Sequence, residues 1–194
     1  MDKDHTQKYF SEKLSLHIKK IIPKELAKKL VEHYEKNSSK EDIEEIRAEI
    51  ISSCEKEVFQ KDIVRLINGY LGSEYFMLHK EFKVVDSSID TSTISYWHLD
   101  YGIKKTLRLF IYLNSVSQHG GNTLLIDKER SKKLAQTDAI TCERTNDTKD
   151  IKPYLKELGL DTEYLAYDFD SGDGLLLNPI QLVHRCLAPT KEGS

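Results

Sequence analysis

From Pro23 onward the apolar residues fall at helical intervals. Leu26, Ala27, Leu30, Val31 and Tyr34 recur every three or four positions behind a proline that suits a first turn, which predicts a helix. Asn37-Ser38-Ser39 interrupts the pattern, and Ser39 with Asp42 in the next turn has the form of a helix start. Ile43, Ile46, Ile50, Cys54 and Val58 then mark one face of a long helix. Phe59, Ile63, Leu66, Ile67 and Tyr70 continue it after a kink, with Gly69 and Gly72 as stop signals. The Glu and Lys residues between them read as solvated faces. The whole first third, His5 and His17 included, therefore reads as helical.

Past Gly72 the period shifts toward two. Strands are predicted over 75–85, 94–100, 105–114, 123–127, 164–169, 175–177 and 182–186. Polar or glycine-bearing turns fall at 86–93, 118–122 and 170–174. The stretch 128–161 is polar, with a short helix over 150–158 ended near Gly159, and reads either as a lid or as a surface excursion. Many short strands with such turns predict an α+β protein with a mainly β core, a sandwich or a barrel. The helical part, 1–72, is expected on the outside of one sheet of the core, 73–194. No repeat or shift in composition divides the chain, so 1–194 reads as one domain.

Composition narrows the function. With 39% hydrophobic and 31% charged residues the chain is of ordinary globular make-up, and its net charge of -3 argues against a basic nucleic-acid-binding surface. No apolar run approaches the ~20 residues that span a bilayer, and the N-terminus lacks a signal-like apolar segment. Cys54, Cys142 and Cys186 are odd in number and lack Cys-x-x-Cys spacing, which suits free thiols in a reducing, cytoplasmic setting.

Three pairs place a histidine two residues before an acid: His33 with Glu35, His79 with Glu81, and His98 with Asp100. On a helix, positions i and i+2 diverge, so the first pair cannot share a ligand. On a strand they converge, and either of the others could supply two ligands of a metal site. His184 is the candidate third ligand, since two histidines and a carboxylate with open positions form the facial triad of non-haem Fe(II) oxygenases. The strand after His98 favours that pair. One face carries Leu107, Leu109, Ile111 and Leu113. The other carries Thr106, Arg108, Phe110, Tyr112 and Asn114, and either lines a cavity beside the metal or faces solvent. Tyr96, Trp97 and Tyr101 flank the motif; Trp97, on the face opposite His98, reads first as core.

Taken in order, His98-Leu99-Asp100-Tyr101, Leu109-Phe110-Ile111-Tyr112-Leu113-Asn114, Gly120-Gly121-Asn122-Thr123, and Gly172-Asp173-Gly174-Leu175-Leu176-Leu177 before His184 resemble the Fe(II)/2-oxoglutarate-dependent dioxygenase superfamily. The resemblance is to the prolyl hydroxylase branch, with the phytanoyl-CoA hydroxylase branch next. It implies a double-stranded β-helix, or jelly roll, with His98, Asp100 and His184 as the catalytic metal ligands. It implies Fe(II), 2-oxoglutarate and O2 as cofactor and cosubstrates, and Tyr112 as a contact to the 2-oxoglutarate carboxylate. The implied activity is hydroxylation of an unactivated C–H bond, with release of succinate and CO2. A small molecule or amino-acid-like compound is the expected substrate, and a peptidyl proline or other side chain the alternative. A cupin-like metal-binding protein without oxygenase activity is a further alternative. One departure stands out. The family places an arginine or lysine nine to eleven residues after the second histidine, and neither Arg185 nor Lys191 fits. That cation is expected either beyond Ser194 or in Arg108.

Overall fold

A computed structural model describes residues 3–38, 43–85, 96–140 and 150–190. Two antiparallel three-stranded sheets form its centre. The first has the order β1 (Ser15–Ile18), β5 (Gly174–Leu177) and β2 (Arg108–Ile111). The second has the order β4 (Leu165–Ala166), β3 (Asn122–Leu125) and β6 (His184–Leu187). The described strands close no barrel.

Alternation of side chains explains how the sheets stack. β5 is the middle strand and is buried on both faces, which is why it reads as an unbroken apolar run. Leu175 and Leu177 point toward the second sheet and pack with Leu125, Phe169 and Leu182, together with Phe110 and Tyr112 of the first. Leu176 points the other way, onto Phe10 of α1 (Lys3–Lys13) and Leu66 of α4 (Lys61–Leu71). Beside it α2 (Lys24–Asn37) and α3 (Ile43–Val58) bury Leu30, Ile50, Cys54 and Val58 against Leu109 and Ile111. The N-terminal helices thus cover the outer face of the first sheet. A single turn, α5 (Val116–His119), leads into Gly120 before β3. The outer face of the second sheet is covered by α6 (Lys128–Leu134) and α7 (Lys152–Glu157), through Leu134, Ile151 and Leu155 around Trp97 and Val183. The described parts of 128–161 therefore pack against the second sheet through these few side chains. No helix among the described residues is long and apolar enough to cross a membrane.

Several sequence expectations are corrected here. The first third is not wholly helical: Ser15–Ile18 is a strand on β5, so His17 is a strand residue. A run of four residues between a helix and Pro23 is too short to display its period. The 75–85 stretch forms no described ladder. The segment rests on helices instead, where Tyr75 stacks on Phe59 at 5.8 Å and Phe82 meets Tyr34 at 5.1 Å. Phe76 and Leu78 are left exposed. The long helix is two helices, broken at Phe59-Gln60. Gly72 ends α4 in the left-handed region with φ 74. Gly69 lies inside that helix rather than at its end, beneath the Gln7 side-chain amide of α1. The strands predicted over 105–114 and 164–169 shrink to β2 and β4, and α6 was unforeseen. Tyr96–Asp100 contributes an isolated bridge rather than a full strand. The Ser39–Asp42 cap, the 86–93 turn and Cys142 lie outside the described residues.

Candidate metal centre

His98 and His184 face each other across an antiparallel bridge. Each backbone N–H donates to the other's carbonyl at 3.0 Å. Such a pair directs both side chains to one side, and the ring centroids lie 4.3 Å apart. Each imidazole is oriented in the same manner. His98 Nδ1 lies 2.8 Å from the Tyr96 carbonyl, and His184 Nδ1 lies 2.9 Å from the Leu182 carbonyl. A carbonyl only accepts, so in each ring Nδ1–H donates and the Nε2 lone pair faces the site.

Asp100 is the third group. Its backbone N–H donates to the Pro179 carbonyl at 2.9 Å, which holds the chain after His98 against the loop before β6. Its Oδ1 lies 3.6 Å from His98 Nε2 and 3.8 Å from His184 Nε2. One ligand atom from each of the three residues falls within 4.8 Å of the others. All three side chains are below 10% exposed.

The electrostatics suit a cation. Burial alone would raise the Asp100 carboxyl, but the two neighbouring imidazoles and the Arg108 guanidinium outweigh it and hold it below its usual range. Burial lowers His184 to about 4, with the neighbouring His98 charge adding to the fall. A neutral imidazole is the form that binds metal. His184 Nε2 is buried without a hydrogen-bond partner, although buried nitrogens are normally satisfied. An orphaned lone pair beside a second imidazole and a carboxylate fits a divalent metal, and two nitrogens with one oxygen suit the first-row transition series. The buried His-Asp-His cluster could hold a metal ion.

The inward face of β2 lines this space. Arg108 reaches Asp100 Oδ2 at 2.5 Å. Tyr112 donates to Thr123 Oγ1 at 2.8 Å and stacks on Phe169 at 4.1 Å. Burial raises the Tyr112 hydroxyl above its ordinary value, more than its bond to Thr123 lowers it. Thr123 pairs with Cys186, and Leu125 with His184. The Tyr112–Thr123–Cys186 group therefore lies two strand positions from His184, about 7 Å.

The remaining candidates stand apart. His33 is on α2 and meets Glu49 of α3 at 3.0 Å. His79 and Glu81 are exposed. Trp97 is 2% exposed in the outer core, whereas Tyr101 is 89% exposed beside Asp100. Arg185 lies over the Trp97 ring at 5.8 Å, and Lys191 is outside the described residues.

Sequence reasoning missed Asn178. Fully buried, it donates to Tyr70 Oη at 2.9 Å and to the Lys104 carbonyl at 2.7 Å, and its Oδ1 accepts from Ile180 and Gln181 at 3.1 Å each. It builds the turn that carries Pro179 to Asp100. Its one visible signal was an Asn-Pro step directly after an apolar strand. Compared with protein-family models and with curated proteins, the sequence matches none.

Proposed function

We propose that this chain is an Fe(II)- and 2-oxoglutarate-dependent dioxygenase of jelly-roll architecture, hydroxylating a small or amino-acid-like substrate. The observation that carries this reading is the convergence of two Nε2-presenting imidazoles and one carboxylate at a buried point between two antiparallel sheets. His98, Asp100 and His184 would hold the metal. Bound there with 2-oxoglutarate and O2, Fe(II) supplies the chemistry that delivers one oxygen atom to a C–H bond and the other to succinate, with release of CO2.

The chain's own part is binding, orientation and exclusion of water. The hydroxyls of Tyr112 and Thr123 offer polar contacts to a carboxylate about two strand positions from His184. Leu125, Leu175 and Leu177 are fully buried around them and keep bulk water from the inner end. Tyr101 and Ile103, 89% and 74% exposed just after Asp100, favour a second reading in which the substrate is a peptidyl proline or another protein side chain.

The test is succinate release by the full chain, with each of Fe(II) and 2-oxoglutarate withheld in turn. Release that needs both is expected. A protein that binds Fe(II) but no 2-oxoglutarate would overturn the oxygenase reading in favour of a cupin-like metal protein. Comparing free amino acids with proline-containing peptides as stimulants of release separates the two substrate readings.

A further inference from the structure

We infer that Arg108 is a positioning residue, holding one oxygen of Asp100 so that the carboxylate presents only the other to a divalent cation. This rests on reading His98, Asp100 and His184 as metal ligands. The two carboxylate oxygens have different surroundings. Oδ1 faces His98 Nε2 at 3.6 Å and His184 Nε2 at 3.8 Å. Oδ2 is taken by Arg108 at 2.5 Å. The backbone N–H of Asp100 is fixed separately on Pro179, so rotation of the carboxylate is what the guanidinium restrains.

Arg108 is itself held. It begins β2 opposite Leu177, and its guanidinium lies 5.7 Å from the centre of the Phe110 ring, two residues along on the same face. At 46% exposed it keeps much of its hydration, so placing its charge there costs little. A planar fork suits a carboxylate oxygen better than a mobile ammonium does.

The competing role is that of anchor for the far carboxylate of 2-oxoglutarate. Arg108 and Tyr112 are four residues apart on one strand face, about 13 Å. The Tyr112 hydroxyl lies on Thr123, while Arg108 reaches Asp100. The two residues serve opposite ends of the space, and Arg108 serves the metal end.

Cobalt(II) titration of the full chain tests this without turnover. Arg108→Met is expected to weaken Co(II) binding about 10- to 100-fold, the range for a lost partner of a metal ligand. The visible absorption of bound Co(II) should change as the released Oδ2 swings in to chelate. The KM for 2-oxoglutarate at saturating metal should stay as in the parent. Arg108→Gln keeps a hydrogen-bond donor and is expected to recover part of the loss, and it reads the same difference should the Met form fail to fold. Parent, Met and Gln forms with equal Co(II) affinity and spectrum would overturn the inference. A raised KM for 2-oxoglutarate with unchanged metal binding would assign Arg108 to the cosubstrate instead. A parent that binds no Co(II) would overturn the metal reading beneath both, an outcome distinct from either.

Discussion

His98 with Asp100 and His79 with Glu81 share a spacing, and they share a distance: in each pair the imidazole Nε2 lies 3.6 Å from a carboxylate oxygen. Their surroundings differ completely. The side chains of the first pair are 8% and 9% exposed, those of the second 76% and 47%. His98 has its Nδ1 on a backbone carbonyl and a second imidazole across the bridge. His79 sits on an extended segment with no described ladder, and Glu81 also meets Lys83 at 3.2 Å. In water such a pair is screened and contributes at most about 1 kcal/mol. The lesson is that a His-x-acid motif becomes a candidate centre through desolvation, ring orientation and a third donor. None of these is a property of the motif.

Ligand removal should separate the pairs most sharply. His98→Ala and His184→Ala are each expected to abolish metal binding in a calorimetric Co(II) titration, while His79→Ala binds as the parent does. The opposite result would move the centre to the exposed pair. Next in size is the turn behind Asp100. Asn178→Ala removes a fully buried side chain together with its bonds to Tyr70 Oη and the Lys104 carbonyl and the acceptor of the Ile180 N–H. It should cost about 2–3 kcal/mol, read as a lower urea midpoint with unchanged slope.

Asp173 extends the comparison to a buried His–acid pair outside the centre. Its Oδ2 lies 2.7 Å from His17 Nε2, and it accepts from the N–H groups of Lys20 and Asp170. Burial raises this carboxyl, but those bonds outweigh it and hold it below the usual range. A lowered carboxyl stabilises the fold above the ordinary carboxylate pKa of about 4, and that stability is lost as the pH falls through the lower folded value. Asp173→Asn should therefore be less stable than the parent by about 1–2 kcal/mol at pH 7. The gap in unfolding free energy should close toward pH 3. A constant gap would mean that the carboxylate charge is not what matters. The smallest effect is expected at the exposed pair, where Glu81→Gln should change stability by less than about 0.5 kcal/mol and leave Co(II) affinity as it was.

Much of this was legible in the chain. Helical spacing located α2, α3 and α4, because each buries one stripe and leaves the rest to solvent. The apolar run at Leu175–Leu177 marked a strand, and the structure shows it buried on both sides. The two faces of 105–114 were distinguishable, though not whether the polar and aromatic one lined a cavity or met solvent. Phe110 and Tyr112 turned out to face the second sheet, and Arg108 to reach Asp100. β1 was illegible because four residues hold barely two periods. The apparent strand over 75–85 misled because aromatic side chains serve equally well to rest an irregular segment on helices.

The sequence by itself determined which groups could bind a metal and that His33 and Glu35, on a helix, could not share one. Geometry within a few residues is enough for that, since the periods of helix and strand are local. The sequence already favoured His98 over His79; only the tertiary structure buried the one and exposed the other, set His184 against a residue 86 positions earlier, and gave Arg108 its partner. Burial, the bridge between distant strands and the orphaned Nε2 depend on how sheets and helices stack, and no local pattern encodes that.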